Sequence, residues 1–176
     1  MARGTDTVRL EKDRLLGERR DAESRWAALS EQAVRLRAAV GELKDGISAA
    51  TAKEKLARKD KRDADRISAA SEKRRMERSL ELIQARLALR EAQAEAARVE
   101  RDHIDATIRA DDAELAIAER RDQVSPEDTT QRTAFQELTS RWLQALRTKV
   151  ARAYDLEDRR FKVVEAQMQL LKRQRA

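Results

Sequence analysis

The apolar residues of this chain recur every three or four positions over long stretches, most densely between Leu80 and Gln123, the central segment. One row there comprises Leu80, Ile83, Leu87, Ala94, Ala97, Ile104, Ile108, Leu115 and Ala118, and a second comprises Leu82, Ala85, Leu89, Ala92, Ala96, Val99, Ala106, Ala110, Ala113 and Ile117. Steps of three and four keep side chains on one stripe of a helix. The pattern therefore predicts a long helix whose two adjacent stripes contact more than one neighbour.

Residues 1–50 predict a heptad helix that serves oligomerisation or partner binding. Val8, Leu15, Ala22, Leu29, Leu36 and Leu43 recur every seven residues, and Lys12, Arg19, Trp26, Ala33, Val40 and Ile47 recur between them. The second row is apolar only from Trp26 onward, so the predicted interface is Trp26, Leu29, Leu36, Val40, Leu43 and Ile47. This interface either meets a partner in trans or packs in cis on the second stripe of the central segment.

Residues 51–79 are polar and basic, and they predict an exposed helical connector. Leu56, Ile67 and Met76 are their only large apolar residues, and a helix that is polar on all sides bridges solvent. At the start of the connector, Gly46 suits a helix end, and Thr51 with Glu54 fits a capping box. A helix that continues through Gly46 is the alternative, because the heptad runs on without a break.

The segment Val124-Ser125-Pro126 predicts the turn of an antiparallel helical hairpin formed by residues 80–176. Pro disfavours helix at the preceding residue, Ser125 suits an N-cap, and Pro126 suits the first helical position. The last helix then carries the stripe Phe135, Leu138, Trp142, Leu146, Val150, Tyr154, Phe161, Val164, Met168 and Leu171. It has 11 Lys+Arg against 7 Asp+Glu over 124–176, and the central segment has 7 against 11, so the two helices attract each other.

Composition supports an all-α, elongated coiled coil. Of 176 residues, 41% are charged and 3% aromatic, with four Gly and one Pro, so large core residues and turn residues are both scarce. There is no Cys, no apolar signal segment at the start, and no apolar run long enough to span a membrane. We therefore expect a soluble, cytoplasmic protein.

Catalytic and metal chemistry find little support in the sequence. Glu100 and His103 share a helix face, but a helical metal site needs further inward-facing ligands that the last helix does not offer. The cluster Asp111, Asp112 and Glu114 is typical of a solvated helix face, and no Gly-rich phosphate loop is present. We expect no enzymatic activity, no metal, no cofactor and no small-molecule ligand.

Basic residues near the connector are the remaining candidates for a binding surface. They are Lys53, Lys55, Arg58, Lys59, Lys61, Arg62, Arg74 and Arg75. Side chains of this kind hold nucleic-acid phosphates without reading sequence. Acidic residues such as Asp60, Asp63 and Asp65 interrupt them, which favours a charge-mixed solvated helix. A membrane surface is not expected, because no strongly apolar face backs the basic one.

These patterns together predict a structural or adaptor protein that forms a homodimer or higher oligomer, or binds a protein partner. Its predicted shape, long charged helices with a hairpin, is similar to that of coiled-coil stalk proteins such as those of flagellar and type III export ATPases. That resemblance implies a stalk or assembly component of a larger machine. The alternative is a nucleic-acid-associated coiled-coil protein that uses the basic 53–78 segment.

Overall fold

Three long helices make up the fold. The computed structural model describes residues 5–121, 123–125 and 127–175, which form α1 (Thr5–Lys59), α2 (Asp63–Arg121) and α3 (Thr129–Arg175), with no strand among them. The predicted all-α class and helical hairpin are confirmed. α1 runs through Gly46 without a break, and the Thr51 hydroxyl donates to the Ile47 carbonyl at 2.8 Å. Such a bond to the preceding turn is typical of a helix interior, so the Gly46 break and the capping box are wrong.

The turn between α1 and α2 was not predicted. It closes as a Schellman motif, in which the Arg62 amide donates to the Ala57 carbonyl at 2.9 Å and the Lys61 amide to the Arg58 carbonyl at 3.4 Å. Lys61 holds the left-handed position, with φ of 54°, where glycine is usual. The predicted connector is therefore the end of one helix, a turn, and the start of the next.

The connection between α2 and α3 lies where the hairpin turn was predicted, but its cap is a different residue. Asp128 Oδ1 accepts from the amides of Thr130 at 2.9 Å and Gln131 at 3.1 Å, so Asp128 is the N-cap and α3 begins at Thr129. The Ser125 amide donates to the Gln131 side chain at 2.8 Å. Ser125 therefore stabilises the loop before the helix, and Pro126 lies outside the described residues.

The chain divides into two compact units that share the three helices. The first unit contains the described residues of Met1–Trp26 and Glu95–Phe161. The second contains the described residues of Ala27–Ala94 and Lys162–Ala176. Leu15, Ala22 and Ile104 form the core of the first unit, with Ile108 packed against them. The first row of α1 thus packs on the first row of the central segment, whereas such a contact was predicted only for the second row of that segment.

The second unit is held by much smaller side chains. Its buried hydrophobic residues, among those the structure describes, are Ala33, Ala50, Ala57, Ala69 and Ala94. Gly46 lies so close to Met76 that an added Cβ would stand 2.9 Å from the Met76 sulfur. The helices of this unit therefore approach each other through small residues.

α2 is the central helix of both units, and ion pairs show that it runs antiparallel to its neighbours. In the first unit, Lys12 pairs with Asp112 at 2.7 Å, Arg19 with Asp105 at 2.7 Å, and Arg25 with Glu100 at 2.8 Å. Residue numbers that rise along α1 while they fall along α2 define an antiparallel pair. The same order appears between α2 and α3, where Arg159 lies 3.9 Å from Glu95 in the first unit and Arg173 lies 2.8 Å from Glu81 in the second.

Candidate protein-interaction faces

The predicted interface of α1 is half-buried inside the chain. Trp26, Leu29, Leu36, Val40, Leu43 and Ile47 are all of intermediate exposure. In the second unit, Arg37 beside this row donates to Glu91 of α2 at 2.9 and 2.7 Å. The row therefore lies partly covered within the chain, and Arg37 beside it contacts α2.

α3 carries two apolar rows, and the one that faces α2 differs from the predicted stripe. Leu156 is the buried residue of the helix, at 7% exposure, and Trp142, Val163 and Leu170 are half-buried at steps of seven from it. The predicted stripe agrees with this face only from Phe135 to Leu146. Beyond that it is wrong, because from Leu138 to Tyr154 it advances four times in a row by four residues, and each step of four turns about 40° around a helix of 3.6 residues per turn.

The later residues of that stripe form an exposed row instead, here called the outer face of α3. Its apolar members are Leu143, Val150, Tyr154, Phe161, Val164, Met168 and Leu171, and all seven are exposed. From Val150 onward the steps alternate between four and three, if Glu157 is counted as the one polar member. Alternating steps of four and three are the heptad spacing of a coiled-coil seam. Since α3 is one unbroken helix, this spacing alone sets the outer face.

Scattered exposed apolar residues elsewhere do not form such a row. Leu10, Val34, Leu56 and Ile67 are also exposed, but they are far apart in sequence and follow no common heptad. Single apolar residues at the surface are ordinary, whereas a contiguous apolar strip marks a contact surface. The outer face of α3 is therefore the strongest candidate for protein binding.

The basic residues of the connector surround the α1–α2 turn in the second unit. Lys53, Lys55, Arg58, Lys59, Lys61, Arg62, Arg74 and Arg75 are all exposed. Arg62 is held by Asp60 at 2.8 Å and Asp65 at 3.2 Å, and Arg66 lies 3.5 Å from Asp63. Acidic neighbours thus neutralise part of this charge, as their positions in the sequence predict.

A groove in the second unit was missed by the sequence analysis. It has a volume of about 420 Å³ and is lined by Leu36, Leu89 and Leu170 with Gln32 and the side chains of Arg35, Arg86 and Arg90. Each of the three helices contributes one of these leucines. The hydrophobic pattern of a single helix therefore gives no signal for the groove. Its lining combines three leucines with three arginines.

Of the candidate metal ligands on α2, Glu100 pairs with Arg25 at 2.8 Å and His103 is half-buried. Asp111 is buried at 1% exposure, which corrects the solvated position predicted for it, because it lies seven residues after Ile104 in the row that faces α1, whereas Asp112 is exposed. Arg98 bonds Glu95 at 2.8 and 2.9 Å, and these hydrogen bonds raise the pKa of Arg98 above its usual value. No group of three or more His, Cys, Asp or Glu that would hold a metal ion occurs among residues 5–121, 123–125 and 127–175.

No helix in the described part of the chain combines the length and the apolar character that a membrane crossing requires. Comparison with protein-family models, with curated proteins and with solved structures found no match to this chain.

Proposed function

We propose that this protein is a non-enzymatic coiled-coil scaffold or adaptor that binds helical protein partners through the outer face of α3. The observation that carries the proposal is the heptad row from Val150 to Leu171, interrupted only by Glu157, which stays exposed while the buried residues of α1 and α2 pack within the chain. A row of this length and spacing fits a partner helix, whose side chains enter the spaces between its own.

The composition of the outer face suits an interface. Aromatic residues and methionine are enriched where proteins bind each other, and Tyr154, Phe161 and Met168 supply them here. Tyr154 is 76% exposed and Phe161 68% exposed, so two of the chain's few aromatic residues are held in water rather than in a core. Placing large rings in water is unfavourable, and a partner that covers them removes that cost.

A photo-crosslinking amino acid placed at Val164 tests the proposal in the native source. Adducts with other proteins are expected from Val164 because it lies in the middle of the row. The matched control is Gln169, which is also exposed on α3 but points about 140° away around the helix. Equal adducts from both positions, or none from either, would contradict a role for this face.

Nucleic-acid binding through the basic end of the second unit is the second candidate. Its support is the exposure of Lys53, Lys55, Lys59 and Lys61 near one turn. Because released counterions are the only driving force available there, binding is expected to be weak and to fall steeply with salt. Replacing all four by Gln should abolish it, and sequence-selective binding that survives at physiological salt would place this function first.

A further inference from the structure

The outer face of α3 has a mirrored pattern between Leu143 and Phe161. Read from the middle outward, Val150 matches Tyr154, Arg147 matches Glu157, and Leu143 matches Phe161. Each pair is equidistant from the level of residue 152, and each pair joins two apolar residues or two opposite charges. All six side chains are exposed and lie in the first unit.

From this pattern we infer that a second copy of the chain docks on the outer face, antiparallel, about a two-fold axis at the level of residue 152. The inference rests on the proposed function and names one partner for that face. A two-fold interface uses the same patch of both copies, so each residue must complement the residue at the same distance on the other side of the axis. The stretch from Leu143 to Phe161 meets this requirement in every layer.

The charges select the antiparallel orientation. In it, Arg147 of each copy faces Glu157 of the other, which gives two ion pairs across the seam. A parallel pair would place Glu157 against Glu157 and Arg147 against Arg147, and like charges in a seam are unfavourable. In the single chain, the Glu157 carboxylate accepts from Arg160 of its own helix at 2.7 Å and lies at the surface.

Small residues lie beside the axis. Ala151 and Ala153 flank the apolar layers formed by Val150 and Tyr154, and neither carries a side chain that would hold two helices apart. Ala151 is exposed and Ala153 is half-buried. Small flanking residues allow two helices to approach closely, with large residues filling the seam between them.

The apolar area is sufficient for a modest dimer. An aromatic side chain has about 150–250 Å² to bury, and Tyr154 and Phe161 are each exposed over more than two thirds of theirs. The four rings of two copies therefore remove on the order of 500 Å² from water. Leu143 and Val150 bring the total towards the roughly 1,000 Å² that a specific interface requires.

The mirrored pattern ends at Phe161. Beyond Phe161, Val164, Met168 and Leu171 would face Ser140, Gln136 and Thr133 of the second copy, which are polar. The dimer is therefore confined to the first unit. The remaining apolar residues of the outer face stay available for a different partner.

Sedimentation of the full-length chain over a range of concentrations tests the dimer. The wild type is expected to form a dimer. Arg147→Glu and Glu157→Arg should each weaken it at least tenfold, because each places like charges in two layers of the seam. The combined variant R147E/E157R restores opposite charges and should regain most of the lost affinity. Since all these positions are exposed, equal melting temperatures of the diluted monomers serve as the folding control.

Cysteine crosslinking tests the orientation, since the chain has no Cys of its own. Leu143→Cys should form an intermolecular disulfide with Phe161→Cys in a mixture, because the two positions lie opposite each other, whereas neither variant should link to itself. A monomeric wild type, self-linkage at residue 161, or failure of the combined charge variant to recover would overturn the inference. A monomer that still yields Val164 adducts with other proteins would leave the proposed function standing.

Discussion

The guanidinium carbon of Arg101, on α2, lies 5.3 Å from the centre of the Trp26 ring on α1. A cation over an indole ring is attracted by the negative face of the ring. Trp26 is the residue at which the second row of α1 changes from charged to apolar, so the arginine covers the point where the apolar seam begins.

Arg101→Gln should lower the free energy of unfolding by about 0.5–1 kcal/mol, the usual strength of an exposed cation–π contact. In a Trp142→Phe background, the fluorescence of Trp26 should shift to the red as the ring gains water. Arg109→Gln, on an exposed part of α2, is the control and should change neither quantity. An unchanged Trp26 spectrum in Arg101→Gln would contradict the contact.

Replacing one leucine in each apolar row of α3 by alanine should distinguish the buried row from the exposed one. Leu156→Ala should lower the free energy of unfolding by about 2–4 kcal/mol, because it leaves a cavity against α2. Leu171 is exposed on the outer face, and Leu171→Ala should change stability by about 0.5 kcal/mol or less. Chemical denaturation of both variants checks this, and equal losses would mean that the faces are misassigned.

The helical glycines offer a test of packing in the second unit. Gly17→Ala and Gly41→Ala should each stabilise the protein by about 0.5–1 kcal/mol, because alanine favours helix and nothing lies near either new methyl group. Gly46→Ala should gain less, since Met76 must move to admit the Cβ. Thermal melting of the three variants measures the difference, and the largest gain at Gly46 would argue against the contact with Met76.

Lys61 is the strained residue of the α1–α2 turn. Lys61→Gly should stabilise the protein by about 1 kcal/mol, because a side chain at positive φ costs about 1–2 kcal/mol and glycine avoids it. The same substitution six residues earlier, Lys55→Gly, falls inside α1 and should destabilise by about 1 kcal/mol. Opposite shifts in the denaturation midpoint are the expected result, and shifts of the same sign would contradict the turn geometry.

The contrast between the two cores predicts a contrast in local stability. Buried leucine and isoleucine hold the first unit, whereas buried alanine holds the second, and less apolar area then opposes local opening. Amide hydrogen exchange around Ala50 and Ala69 should be faster than exchange around Ala22 and Ile104. Uniform protection along α1 and α2 would show that the helices open only as a whole.

The sequence predicted much of this fold because heptad spacing is a local property. The first row of α1, from Val8 to Leu43, occupies the predicted face, and the α2–α3 connection lies at the predicted place. Two other features have no local signal. Alanine is apolar and also the best helix former, so Ala50, Ala57 and Ala69 look the same in a solvated helix as in a tight interface. The α1–α2 turn puts lysine where glycine is expected, so the composition does not mark it.

The candidate site was predicted less well, for a related reason. The sequence placed the free apolar surface on α1, because the polar segment after it offers nothing to cover Trp26 or Leu36. In the structure the row on α1 is half-buried, whereas α3 keeps one apolar row exposed. A helix with two apolar rows does not reveal from its own residues which row its neighbour takes, and the neighbour's register decides it.

The antiparallel order of α1 and α2 has a consequence during synthesis. Arg37 pairs with a residue that is synthesised 54 residues later, and Lys12 pairs with one that is synthesised 100 residues later. At roughly 5–20 residues per second, the start of α1 leaves the ribosome about 5–20 s before the end of α2 does. Through that interval Val8, Leu15 and Ala22 have no core to enter. The nascent chain therefore closes from its first turn outward, and the beginning of α1, made first, is the last part of that helix pair to be covered.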